Sequence, residues 1–323
     1  MAKIYLFCPA EQFQPEVLVE HAVLAERAGF DGIMISEHFH PWVDDHGSSG
    51  FTFSTLGAIA ARTESIHLMT AVTTPLFRYH PGVIAQAAAT IDRLSKGRFE
   101  LGIGSGENIN ESPLGFTFPS YQERSKRLAE AIEIISRLLS GESLDFHGEF
   151  YHTNAAKLYS PPVSKIPIFL AAGGPKTAAL AKRYCNGMIV SVKDIGETSS
   201  HILNPLGVRG GKQNFKTIAT RWSIFAEDDE QAWEALKAQR GLRAPSRATA
   251  GPLELQREAD NMPREEILGK YHRLRRAADY ETVYAPLITS LQADIVGIQT
   301  TSTDQPSTIA MLGREVLPKL KKL

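Results

Sequence analysis

Residues 3–42 read KIYLFCPAEQFQPEVLVEHAVLAERAGFDGIMISEHFHPW. The apolar run Ile4 to Phe7 starts as a strand almost at the first residue. Glu16 to Ala28 then carries Val17, Val19, Val23 and Leu24 at helical spacing. Gly29 closes that helix in the manner of a C-terminal glycine, and Gly32 to Ile35 forms a second short apolar strand. Strand, helix and strand in this order make a crossover unit, because parallel strands need such a connection. Directly behind the second strand stand two histidines, a carboxylate and a tryptophan: Glu37, His38, His40 and Trp42.

The same alternation runs outward to the end of the chain. Further strands are predicted at Ile66–Thr70, Phe99–Ile103, Ile168–Ala171, Gly187–Ser191, Thr217–Phe225 and Asp294–Gln299, with amphipathic helices between them, Pro81 opening one of these. Eight strands with crossover helices point to a (β/α)8 TIM barrel formed as one domain over residues 1–323; a doubly wound open sheet is the competing topology. In a barrel, chemistry gathers where strands end. Two stretches break the rhythm and are expected as insertions near that face: 194–215, a mobile glycine-rich loop with Gly207, Gly210 and Gly211, and 241–290, a basic insertion or lid.

Composition limits the function classes. Among 323 residues, 35 basic and 36 acidic side chains leave a net charge of −1, which offers no basic stripe for nucleic acid. The two cysteines, Cys8 and Cys185, lack any paired spacing and favour a reducing, cytoplasmic setting. The chain shows neither a signal peptide nor an apolar run able to span a bilayer, so no membrane partner is expected.

The polar residues cluster behind strands, as a barrel site requires. His38 with Glu37 beside it can handle protons near neutral pH; no further ligand at metal spacing accompanies His38 and His40, so no metal is expected. Thr70–Pro75 and Phe77–Pro81 follow strand three. Gly102, Gly104 and Gly106, followed by Glu107 and Asn110, lack the glycine offset and helix of a dinucleotide fingerprint, and suit close backbone approach to a flat group. Gly173 and Gly174 precede a helix and leave backbone N–H groups suited to a phosphate. Ser191 and Lys193 add a hydroxyl and a cation.

With these motifs in hand, the chain resembles the F420-dependent glucose-6-phosphate dehydrogenase family of the luciferase-like superfamily. The likeness rests on Glu37–Trp42, Phe77–Gln86 and Gly104–Asn108, and runs from Ala10 to Ser191. It implies an F420-dependent dehydrogenase acting on an alcohol or sugar hydroxyl carbon. His38 would take the hydroxyl proton, Glu107 would protonate the reduced deazaflavin, Trp42 would hold the reacting groups, and Glu11 would be a further active-site carboxylate. Ala71–Val72 falls at the family's non-prolyl cis peptide behind the ring. Glu37, Gly106, Asn110, Gly173, Gly174 and Ser191 would contact the cofactor. Glu37 stands where the family usually has Asp. Lys193 and Lys270 would bind the substrate's phosphate, Lys270 replacing an arginine. A homodimer is implied as well. An FMN-dependent monooxygenase and a flavin-binding barrel without turnover are the alternative readings.

Overall fold

The computed structural model describes residues 1–208, 215–246, 248–249 and 251–323. Its strands are β1 (Lys3–Cys8), β2 (Gly32–Ile35), β3 (His67–Thr70), β4 (Phe99–Ile103), β5 (Leu144–His147), β6 (His152–Ala156), β7 (Ile168–Ala171), β8 (Gly187–Ser191), β9 (Lys216–Phe225), β10 (His272–Leu274) and β11 (Ile295–Thr301). Eight of them, in the order β9-β11-β1-β2-β3-β4-β7-β8, are parallel neighbours, and β8 pairs with β9 from Gly187↔Lys216 to Ser191↔Thr220. That last pairing closes a (β/α)8 barrel and rules out the open sheet. The eight barrel strands are those expected from the sequence.

Closure gives each strand a wet-free inside and a helix-covered outside, with side chains alternating between them. Tyr5, Phe7, Met34, Met69, Phe169, Ile189, Ile218 and Ile295 pack as one cluster inside the barrel. Their neighbours Ile4, Leu6, Ile33, Ile35, Leu68, Leu101, Leu170, Val190 and Val296 belong to the outer core under the helices. Bulky inner residues need small partners: a Cβ on Gly32 would lie 2.5 Å from the Tyr5 ring. The first helix, Pro15–Ala28, buries Leu18, Val19, Ala22 and Ala25; Val17, expected on the inner side, is 37% exposed because the stripe runs one residue further on.

Three departures matter for the site. An antiparallel hairpin, β5 with β6, precedes β7 and is pinned by Glu130, which accepts from the N–H groups of Glu149, Phe150 and Tyr151 at 2.8–3.2 Å. The segment expected as a loop over 194–215 is helical from Ile195 to Leu206, and Gly207 ends it at φ +63°; Gly210 and Gly211 lie outside the described residues. The expected insertion over 241–290 begins at Lys237 and ends at β10, since Ala277–Thr289 is the ordinary barrel helix ahead of β11. This insertion carries the helices Pro252–Asp260 and Arg264–Leu268, and β10 pairs with the outer end of β9. It shares a small core with the preceding helix Asp229–Leu236, where Trp233 and Leu236 pack with Ala259 and Ile267. Among the described residues no helix is long and apolar enough to cross a membrane.

Gly102 tests the closure. A Cβ there would collide with the Thr70 carbonyl oxygen of β3 and come within 3.1 Å of Ile189 Cδ1. Gly102→Ala is expected to destabilise the protein by roughly 1–3 kcal/mol or more, seen as a lower urea midpoint; an unchanged midpoint would mean that the strands can part at no cost.

Candidate active site

A cavity of about 910 Å³ opens at the C-terminal ends of the barrel strands. Its floor continues the inward register: Phe7 follows Tyr5, Ser36 follows Met34, Ala71 follows Met69, Gly104 follows Gly102 and Ser191 follows Ile189. Glu11, Glu37, His38, Trp42, Ala71, Val72, Gly106, Glu107, Asn110, Gly173, Gly174, Ser191 and Lys193, all singled out from the sequence, line this one space.

His38 is gripped at both ring nitrogens. Nδ1 lies 3.1 Å from the His40 carbonyl oxygen, so it carries a hydrogen; Nε2 lies 3.0 Å from Glu11 and 3.4 Å from Glu107. The Ser36 hydroxyl donates a short hydrogen bond to the other Glu11 oxygen. Asn110, buried, accepts at Oδ1 from the N–H groups of Phe39 and His40 at 2.8 and 3.3 Å, which holds the loop in place. The Trp42 ring stands edge-on to His38, with centroids 4.9 Å apart.

Charge follows from this geometry. Burial pulls His38 down, but the Glu11 charge and hydrogen bond, with Glu107 behind them, outweigh it and raise the imidazole to about 9. Burial pushes Glu11 up, while His38, Ser36 and its own backbone bring it below the usual carboxylate range. The pair is therefore imidazolium and carboxylate at neutral pH. Glu107, which lines the cavity, has a side chain 35% exposed.

Glu37 takes part differently. Its two oxygens receive Arg78 Nη2 at 2.7 and 2.8 Å, Thr73 Oγ1 at 2.8 Å and the Tyr79 hydroxyl at 3.1 Å. Arg78 also donates to Glu111 at 2.7 Å. Burial raises Glu111 above the usual carboxylate range, although Arg78 opposes it. Glu37, expected as a cofactor contact, lines the cavity with its carboxylate bonded to Arg78, Thr73 and Tyr79, and so also braces the strand ends.

The opposite wall is flat and small. The Ala71–Val72 peptide is cis. A Cβ on Gly104 would lie 2.7 Å from Val72 Cγ2, and Gly106 adopts φ +79°, so both positions suit glycine. Gly173 and Gly174 have open space where a Cβ would be, and Gly174 caps the helix Pro175–Tyr184 without a side-chain acceptor. Its first N–H groups are thus free to receive an anion. Ser191 and Lys193 are exposed and line the same cavity.

Lys270 is a correction. It lies outside the cavity on the insertion and pairs with Glu266 one helical turn away at 3.3 Å. The insertion brings Arg243, one residue of the basic stretch expected over 241–290, to the cavity. Trp222 of β9 and Gln299 of β11 also line the space and were not singled out, though counting alternate residues from Ile218 and Ile295 reaches both.

The luciferase-like monooxygenase family model matches residues 3–296. An F420-dependent glucose-6-phosphate dehydrogenase of Nakamurella multipartita is 35% identical over 97% of this chain and 95% of its own. An F420-dependent hydroxymycolic acid dehydrogenase of Mycobacterium tuberculosis is 40% identical over 81% of this chain and 73% of its own. Among solved structures, an F420-dependent secondary alcohol dehydrogenase bound to an F420–acetone adduct superposes with a TM-score of 0.87 at 26% identity, covering 99% of both chains. With a family match over residues 3–296 and relatives at 35–40% identity along most of the chain, this protein belongs to the luciferase-like monooxygenase family.

Proposed function

We propose that this protein is a coenzyme F420-dependent dehydrogenase acting on a CH–OH group. The observation that carries the reading is His38, held between Glu11 and Glu107 and facing a flat wall across one cavity. The relatives that match over most of the chain are named as F420-dependent dehydrogenases, and FMN is not favoured. Two free cysteines, Cys8 buried and Cys185 half-buried, support a cytoplasmic setting.

The residues fit a deazaflavin. Ala71, Val72 and Gly104 offer a flat apolar face to its ring, and the space over Gly173 and Gly174, at a helix start without a side-chain cap, fits a phosphate tail. When bound, the deazaflavin supplies hydride acceptance and donation at C5.

The protein's share is position and protons. For alcohol oxidation His38 must receive the hydroxyl proton at Nε2, which in the free protein already donates to Glu11. The imidazolium must therefore lose that proton before it works as a base. In the reverse direction the same imidazolium is the ready donor to a carbonyl oxygen. Glu107, open to the cavity, is placed to exchange a proton with solvent. Ser36 and Asn110 keep Glu11 and the His38 loop in register. Trp42 shuts one side of His38 from water.

Trp42 and Trp222 both line the cavity, so their fluorescence reports its occupancy. Titration with F420 is expected to quench it at micromolar concentration or below, and FMN is not; tighter binding of FMN would sink the proposal. His38→Asn is expected to lower turnover by roughly 10²–10⁴-fold while F420 quenching survives, and a variant turning over normally would remove His38 from the mechanism. With the imidazole at about 9, kcat/KM for alcohol oxidation should rise with pH up to that value, and for carbonyl reduction fall beyond it. Glu11→Gln should move both midpoints to lower pH. Profiles flat between pH 7 and 10 would contradict the charge assignment.

A further inference from the structure

Arg243 stands apart from the other inward arginines. Arg78 is spent on Glu37 and Glu111, and Arg240 on Asp45 and Asp260. Arg98 donates to Ser95, Thr63, Ile66 and Ala60, and Arg221 to the Val192 and Val283 carbonyls. The Arg243 side chain makes no hydrogen bond or ion pair with any described residue, and its Nε is closed off from solvent without an acceptor. Its guanidinium sits in the corner between Trp222 and Tyr271, 5.5 and 4.6 Å from their ring centroids, while the residue lines the cavity. A cation partly desolvated by rings, with no counter-charge, is costly unless something supplies the charge.

The surrounding chain fixes where that charge stands. Arg240 ties the turn Lys237–Arg243 to Asp45 in the loop behind β2 and to Asp260 of the insertion. Gly241 presses so closely on Trp42 that a Cβ would collide with the Trp42 carbonyl oxygen. Trp42 in turn packs edge-on against His38. Leu242 and Arg243 are thereby held over the cavity in a fixed relation to the proton-handling histidine.

We propose that Arg243 is a specificity-determining residue that binds a carboxylate on the substrate, so that the protein acts on hydroxy acids with an apolar body. This rests on the dehydrogenase reading above. The terminal N–H groups of one guanidinium match the two coplanar oxygens of a carboxylate. Beside Trp222 and Leu242 the single charge of Arg243 matches the single charge of a carboxylate set among apolar groups. Glu107, Asp194 and Glu197 face the same cavity. A neutral alcohol meets no such opposition, so acceptance of an acid calls for a cation positioned as Arg243 is.

The experiment uses 3-hydroxy fatty acids of increasing chain length, each paired with its neutral primary amide, on the F420-loaded protein. Calorimetric titration and initial rates are measured for the wild type, Arg243→Gln and Arg243→Lys, with F420 quenching of each variant as the check that the cofactor half is intact. The wild type should bind and turn over the acid at least tenfold better than the amide. Arg243→Gln should abolish that preference, chiefly through KM, and leave the amide within about threefold; Arg243→Lys should restore part of it. Equal handling of acid and amide by the wild type overturns the proposal, as does an equal loss of both in Arg243→Gln. Arg243 dependence seen with a phosphorylated alcohol but not with any carboxylate overturns the carboxylate assignment. An Arg243-dependent preference in binding, without F420-dependent turnover of any alcohol, leaves the carboxylate site standing and removes the dehydrogenase reading instead.

Discussion

Everything in this protein depends on the two-residue alternation that a closed barrel imposes on its strands. Once β8 pairs with β9, no edge is left, and every second side chain must fit a space shared with seven other strands. Tyr5, Met34, Met69, Phe169, Ile189, Ile218 and Ile295 fill that space, with Gly32 giving way to the Tyr5 ring. One step further along each strand the filler stops. The next inward positions, among them Ser36, Ala71, Gly104 and Ser191, form the floor of the cavity. Packing and site are one periodic pattern read at two heights.

Two buried charge groups on the β2 side show how one fold can make charges either permanent or available. Glu37 is satisfied by Arg78, Thr73 and Tyr79, and this leaves it structural. His38 is satisfied only by Glu11, Glu107 and a carbonyl, in a cavity that admits a third party. The first group braces the strand ends; the second holds a proton that can be handed over. Neighbouring groups with environments that push their protonation apart mark out acid and base roles.

The barrel was legible because its strands are short apolar runs, and most of the site because its polar residues follow them directly. The limits of that legibility have physical causes. In the β5–β6 hairpin, Leu144 is fully buried but most of the outward residues are exposed, so no strong alternation announces it. Asp194 caps a helix with its side chain, and the helical run behind it, Ile195 to Leu206, was obscured by serines and glycines nearby. Lys270 and Arg243 are both basic residues in a basic stretch; only the folded insertion shows that the first faces Glu266 and the second the cavity. The bracing partners of Glu37 were not legible, because Arg78 and Tyr79 lie some forty residues downstream.

β9 is ten residues long; β11 pairs along it as far as Ile224, but on its other side β8 uses only Lys216 to Thr220. From Ser223 to Phe225 the same strand carries β10 and with it the insertion. In mechanical terms the insertion is a cantilever grown from the barrel wall, not a flap on a hinge. Swinging it away would mean breaking a strand ladder. The cavity wall that Leu242 and Arg243 contribute is thus part of a segment tied to the barrel by that ladder, which limits the ordering entropy to be lost on binding. A receptor surface so stiffened discriminates by preformed fit, and its selectivity can be redrawn by changing the insertion while the barrel beneath stays untouched.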